Sequence, residues 1–192
     1  MKRSPETWNP ALKLLHWGMA ALILGMMVGG WTARSLPFSP LKVQIFFWHK
    51  SFGLLLLLLV MVRIAWRLRC RRPAWPASMP HRERQAAAFT HLALYLLMVI
   101  TPLSGWVINS AAKIPFQVFG LWRLPAIVAP DDGLQSAAEW VHLGCFVLFA
   151  LLLTLHIGAA LRHHFVLRDA VLREMLPRRW GRPATRSGDR LR

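Results

Sequence analysis

Four stretches of the chain, at roughly 14–31, 45–62, 88–108 and 137–161, are apolar almost throughout, and proline- or arginine-rich polar segments separate them. Each is long enough to cross a bilayer as a helix, which takes about 20 residues over a hydrocarbon layer about 30 Å thick. In lipid only helices and closed barrels satisfy their own backbone, and these stretches lack the period-2 alternation of barrel strands. The expected fold is therefore all-α, an integral membrane bundle of four transmembrane helices. It forms one domain over residues 1–180, and a basic, disordered tail follows at 181–192.

Helix-breaking residues place the joints. The first helix is expected to start near Ala11, with Pro37 and Pro40 ending the short loop after it. The segment Arg69–Arg84, rich in Pro, Arg and Trp, reads as a loop before a third helix beginning near Ala86. Thr101-Pro-Leu-Ser-Gly-Trp106 interrupts that helix, and Pro102, which removes a backbone hydrogen bond, is expected to kink it. The longest connection, Asn109–Ala137, contains Asp131-Asp132-Gly133, which reads as a turn. The first stretch also has the look of a signal peptide, but its removal would leave an odd number of spans, so it is read as a span.

Charge sets the orientation. The chain of 192 residues is 55 % hydrophobic and 17 % charged, yet its formal charge is +16. A soluble nucleic-acid binder can be this basic but does not contain four apolar runs, so nucleic acid is not expected as a partner. With the N-terminus inside, 19 of the 24 Lys and Arg residues fall on inner segments; only Arg34, Lys42, Lys50, Lys113 and Arg123 lie outside. The positive-inside rule then puts both termini in the cytoplasm, with the basic clusters against anionic lipid. Cys70 and Cys145 form no metal or redox motif, are not expected to pair, and no Cys-x-x-Cys-His is present for covalent haem attachment.

Histidines inside the spans change the picture most. His142 and His156 are 14 residues apart in the fourth apolar run, close to four helical turns, so both project from nearly one face. At about 1.5 Å rise per residue they stand roughly 21 Å apart, one near each membrane surface. Ionisable groups are costly in a bilayer and mark function by default. Depth pairs His16 with His156 near the inner surface and His49 with His142 near the outer one. Two such pairs match low-spin haem b, which takes a neutral imidazole on each side of its iron and leaves no open position. A single zinc site would need closer ligands.

The supporting residues follow. Gly53, one turn beyond His49, leaves room for a porphyrin plane; Gly25, Gly29 and Gly30 permit a close neighbouring helix or a flat ligand. Arg63, Arg67 and Arg162 could pair with inner haem propionates and Lys50 with outer ones; lipid headgroups are the alternative partner for each. His91, at the depth of His16, reads as a packing or propionate-side residue paired with Tyr95.

His16-Trp17, His49-x3-Gly53, Val62-Arg-Ile-Ala-Trp-Arg67, Thr101-Pro-Leu-Ser-Gly-Trp106 and Leu155-His-Ile-Gly-Ala-Ala-Leu-Arg-His-His164 together resemble the bacterial di-haem cytochrome b561 proteins, over roughly residues 8–180. The resemblance implies two b haems between four inner-membrane helices, with His16, His49, His142 and His156 as iron ligands. Arg162-His163-His164 resembles the superoxide oxidase branch, which implies an enzyme taking electrons from superoxide at the periplasmic side and passing them to ubiquinone in the membrane. His163, seven residues past His156 at the membrane exit, is then the candidate proton donor to the quinone. Lys42, Lys50, Lys113 and Arg123 are candidates for attracting superoxide, opposed by Asp131, Asp132 and Glu139. The alternative within the family is a cytochrome b subunit that passes electrons from a partner dehydrogenase or hydrogenase to quinone. A membrane scaffold with incidental histidines is the remaining reading.

Overall fold

The computed structural model of the chain describes residues 7–71, 73–76 and 79–176. Four long helices dominate it: α1 (Pro10–Ser35), α2 (Pro40–Arg69), α3 (His81–Ala111) and α4 (Asp132–Arg162). At 1.5 Å per residue, spans of 26 to 31 residues are about 39 to 46 Å long, so each clears the hydrocarbon layer and extends past it. All four are long and apolar enough to cross a membrane. The tail read at 181–192 lies outside the described residues.

Local chemistry starts these helices. The Asn9 side chain accepts from Ala11 N and the Ser39 side chain from Lys42 N, and each is followed by a proline at the first helical position. Asp131 likewise caps α4 by accepting from Leu134 N at 2.6 Å. The stretch Asp131-Asp132-Gly133, expected as a turn, is therefore a helix start. A carboxylate facing the exposed N–H groups and the positive end of the helix dipole favours that outcome. Helix α3 runs on through Pro102 with its ends as stated, rather than breaking there.

Packing runs in sequence order: α1 lies against α2, α2 against α3, and α3 against α4. Among the spans, α4 packs closely on α3 alone, and only Ala138 and Phe149 of its residues are buried. A core of Met19, Ile23, Leu56, Val60, Leu94, Leu97, Met98 and Phe149 fills the middle depth of the bundle. The described termini and the α2–α3 connection gather at one end, the basic end. The α1–α2 and α3–α4 connections form the other, the hairpin end.

The α3–α4 connection is ordered by side chains from the helices. Strands β1 (Gln117–Val118) and β2 (Trp122–Arg123) pair antiparallel, Gln117 opposite Arg123 and Val118 opposite Trp122. Phe119 and Gly120 at the turn have positive φ, 52° and 72°. For Phe119 this backbone conformation costs on the order of 1 kcal/mol or more. Its N–H donates to the buried Ser51 Oγ on α2 at 3.0 Å, and its ring packs on Phe52, which offsets the strain. Further on, Trp106 Nε1 donates to the Pro125 carbonyl at 2.9 Å.

At the basic end α4 passes into a π-helical turn, His163–Leu167, closed by Arg168 with φ 54°. A short helix, α5 (Val171–Met175), follows. Its end is tied to α1: Lys13 Nζ donates to the Leu176 carbonyl and Trp17 Nε1 to the Met175 carbonyl, both at 3.0 Å.

Candidate functional site: two imidazole pairs at two depths

At the hairpin end, His49 on α2 and His142 on α4 face one another with ring centroids 6.3 Å apart and planes at 67°. Their helices are not close neighbours, so the rings meet across a gap. That gap is a partly open, mainly apolar cleft, lined among others by Met26, Gly53, Leu97, Thr101, Gly105 and Phe146 as well as both histidines. Nδ1 of His142 lies 3.0 Å from the Thr101 carbonyl and 2.9 Å from Ser104 Oγ. Since the Ser104 hydroxyl donates to the same carbonyl, the imidazole is the donor here, and Nε2 is left with its lone pair. Two polar atoms of the cavity wall, His49 Nδ1 and Thr101 Oγ1, are buried without a hydrogen-bond partner.

At the basic end, His16 on α1 and His156 on α4 repeat the arrangement, with centroids 6.2 Å apart and planes at 70°. Again the two helices do not pack closely. The buried Arg63 guanidinium sits beside His16, with Nη2 3.4 Å from Nδ1. Its Nη1 donates to the Leu12 carbonyl at 2.7 Å and its Nε to the Tyr95 hydroxyl at 3.0 Å. His91 stands with its ring 5.2 Å from that of His156, and its Nδ1 donates to the Ala87 carbonyl of its own helix at 2.6 Å. The expected partner of Tyr95 was His91; the hydroxyl goes to Arg63.

Outside the pairs, the remaining expected residues separate by depth. Lys50 Nζ donates to Asn109 Oδ1 at 2.7 Å and lies 5.4 Å over the Phe116 ring, within the cavity wall. Arg67 stacks on Trp8 and Tyr95. Arg162 lies at the surface, paired with Glu83 of α3 at 3.2 Å. Gly53 lines the cavity, and a Cβ there would meet only the flexible end of Met26 at 3.5 Å. His163 is buried, and its Nδ1 is 2.5 Å from Asp169 Oδ2. Burial, and after it the Asp169 carboxylate, raises the nearby Glu174 carboxyl above its usual range, against the opposing pull of Lys13.

Sequence reasoning missed Asp169 as a site residue and did not tie Gly30 to His49. Nothing in the spacing of Asp169 pairs it with His163, because the π turn and the left-handed Arg168 fold it back. Gly30 was legible only as one small residue among several. A Cβ at Gly30 would lie 2.7 Å from His49 Cε1, so the ring occupies the space a side chain would need.

Two imidazoles sharing one metal ion, each nitrogen about 2 Å from it, stand with ring centres about 6 Å apart. Both pairs meet that measure. Among the described residues no three His, Cys, Asp or Glu side chains converge to hold a bare ion, so each pair suits a metal that brings its own equatorial ligands in a flat, apolar ring. The apolar cavity at His49 and His142, with two unpartnered polar atoms in its wall, fits such a ring. A membrane bundle with imidazoles opposed in this way is the architecture of a b-type cytochrome.

Comparison with known proteins agrees. The sequence model described as prokaryotic cytochrome b561 matches residues 7–178, and the chain belongs to that family. It is 31 % identical over 174 residues to cytochrome b561 homolog 2 of Escherichia coli, covering 90 % of this chain and 93 % of the relative. It is 25 % identical to cytochrome b561 homolog 1 of the same organism, over 86 % of this chain and 94 % of that one. To the probable superoxide oxidase CybB of Yersinia pestis it is 29 % identical, over 87 % and 94 %. The chain is therefore an integral membrane electron-transfer protein of a family that binds b-type haem.

Proposed function

We propose that the protein holds two b haems, one between His49 and His142 and one between His16 and His156, and works as a superoxide oxidase. The observation that carries the reading is the pair of imidazole pairs, 6.3 and 6.2 Å apart, bridging helices that are not close neighbours along their length. A b haem with both axial positions filled supplies a one-electron couple with little rearrangement. The likeness to the Yersinia pestis protein named a probable superoxide oxidase supports superoxide as donor. With the basic end cytoplasmic, as the positive-inside rule directs, the hairpin end faces the periplasm.

The overall reaction is balanced simply. Two superoxide anions each give up one electron and become dioxygen; ubiquinone takes the two electrons and two protons and becomes ubiquinol. The chain's own residues have three tasks. Gly30, Gly53 and Gly105 keep side chains out of the hairpin-end cavity, and Thr101 with Ser104 fixes the His142 ring so that Nε2 faces inward. Lys50, at the cavity wall, and Arg67, stacked on Tyr95 at the basic end, are the candidate cations for carboxylates of the bound groups; Arg63 is taken up by the Leu12 carbonyl and Tyr95, and Arg162 by Glu83. At the basic end Asp169 accepts a hydrogen bond from Nδ1–H of His163, which leaves Nε2 as the atom that exchanges a proton with the quinone.

The test is a reduced-minus-oxidised spectrum with haem quantitation on the native chain, His142→Ala and His156→Ala, followed by stopped-flow mixing with superoxide and a short-chain ubiquinone. Each substitution should remove one haem and leave the other. Loss of neither overturns the ligand assignment. A haem-loaded chain that does not reduce quinone with superoxide would instead be an electron-transfer subunit for a partner dehydrogenase or hydrogenase.

A further inference from the structure

The two imidazole pairs are built alike in separation but not in the charge that surrounds them. At the hairpin end the His142 Nδ1–H donates to a carbonyl and a hydroxyl. Such a partner makes the imidazole a more electron-rich ligand, which favours the oxidised metal. At the basic end the group facing Nδ1 of His16 is a guanidinium, a cation with donors and no acceptor.

Arg63 is 7 % exposed, and its hydrogen-bond partners, Tyr95 Oη and the Leu12 carbonyl, are neutral. Among the described residues it forms no ion pair. That cation therefore stands inside the bundle, 3.4 Å from a ring atom of one imidazole pair, and no carboxylate among the described residues pairs with it. A fixed cation in a low-dielectric surrounding favours the state with one more electron nearby. Lys50 puts a cation at the other site too, but that amine is turned to Asn109 and the Phe116 ring at the cavity wall.

Resting on the haem reading above, we propose that Arg63 is a positioning residue for charge: it makes the one-electron centre held by His16 and His156 the higher-potential of the two. A single electron shared between the sites then lies toward the basic end, where His163 is placed. An electron passing from a centre held at the hairpin end to one held at the basic end would oxidise the first and reduce the second by one electron each.

Potentiometric titration of the purified, haem-loaded protein tests this. His142→Ala isolates the basic-end centre and His156→Ala the hairpin-end centre, so the order of the two midpoints is read without touching Arg63. The basic-end midpoint should be the higher. Adding Arg63→Gln to His142→Ala should shift the reduced-to-oxidised ratio at a fixed potential at least tenfold toward oxidised, about 59 mV for a one-electron couple. Arg63→Lys, which keeps the charge, should restore most of that shift. A reversed order of midpoints overturns the proposal even if Arg63→Gln cannot retain haem. An unchanged or raised midpoint in a haem-loaded Arg63→Gln chain also overturns it. Either result leaves the haem assignment intact, whereas a wild-type chain without haem sinks the assignment itself.

Discussion

Gly30 and His49 are fitted to each other: a methyl group added to the glycine would lie 2.7 Å from Cε1 of the ring and 3.2 Å from its Nδ1. Real Cβ contacts do not come so close, and the imidazole is a rigid plane with only two torsions. The ring must therefore turn if the glycine acquires a side chain. Gly30→Ala should remove or weaken the haem held at the hairpin end while sparing the other, as read by haem quantitation. Gly18→Ala is the control, since a Cβ there meets nothing within 4 Å; retained haem in both variants would show that His49 is not held by its glycine neighbour.

The hairpin is held to α2 through one buried hydroxyl. Ser51 Oγ is fully buried and accepts from Phe119 N at 3.0 Å, at a residue whose φ is positive. Ser51→Ala leaves that N–H without its acceptor, a loss of about 1 kcal/mol or somewhat more. Hydrogen exchange of residues 117–123 should quicken roughly five- to tenfold, with little change in the four spans.

His163 and Asp169 form a second local unit. His163→Asn should slow quinone reduction on the order of a hundredfold, the usual scale for removing a positioned proton donor. The haem spectrum should stay as it was, because His163 belongs to neither imidazole pair. Asp169→Ala removes the acceptor for Nδ1–H and should slow the same step by a smaller factor; an unaltered rate in both variants would place proton delivery elsewhere.

Glu174 gives a pH dependence of stability with a definite sign. Its carboxyl is raised from 4.5 in the fold, so between that value and the raised one the folded chain binds more protons than the unfolded chain. Stability contributed by this group is thus highest in acid, falls as pH rises through the window, and stays lower above it. Thermal unfolding in detergent should show Glu174→Gln gaining over the native chain at pH 7, with the difference gone near pH 4. Because the side chain is partly exposed, water screens the effect and it should be small.

Much of the architecture was legible because bilayers constrain sequences so strongly. Apolar length gave four spans, and the spacing of His142 and His156 placed two imidazoles on one face, where they meet His49 and His16. Asp131 was misjudged because the same Asp-Asp-Gly chemistry serves a turn or an N-cap, and only the helix after it decides. Asp169 and the partners of Arg63 were not legible at all: both depend on tertiary approach, one through a π turn and the other through α1 and α3 crossing α2. Arg162, grouped with Arg63 from sequence, turned out to lie at the surface beside Glu83.

The way α4 is attached has a consequence for biosynthesis. This last span packs closely on one fellow span, α3; toward α1 and α2 it offers Phe149 in the core, Phe146 stacked on Trp31, and imidazoles that face theirs across a gap. Before its prosthetic groups arrive, a newly inserted chain would hold α4 only loosely against α1 and α2, and so be more open to membrane-bound proteases. Cells starved of porphyrin should clear the protein several times faster in a pulse-chase than supplied cells do, so that porphyrin supply, rather than translation, limits how much of it the membrane accumulates.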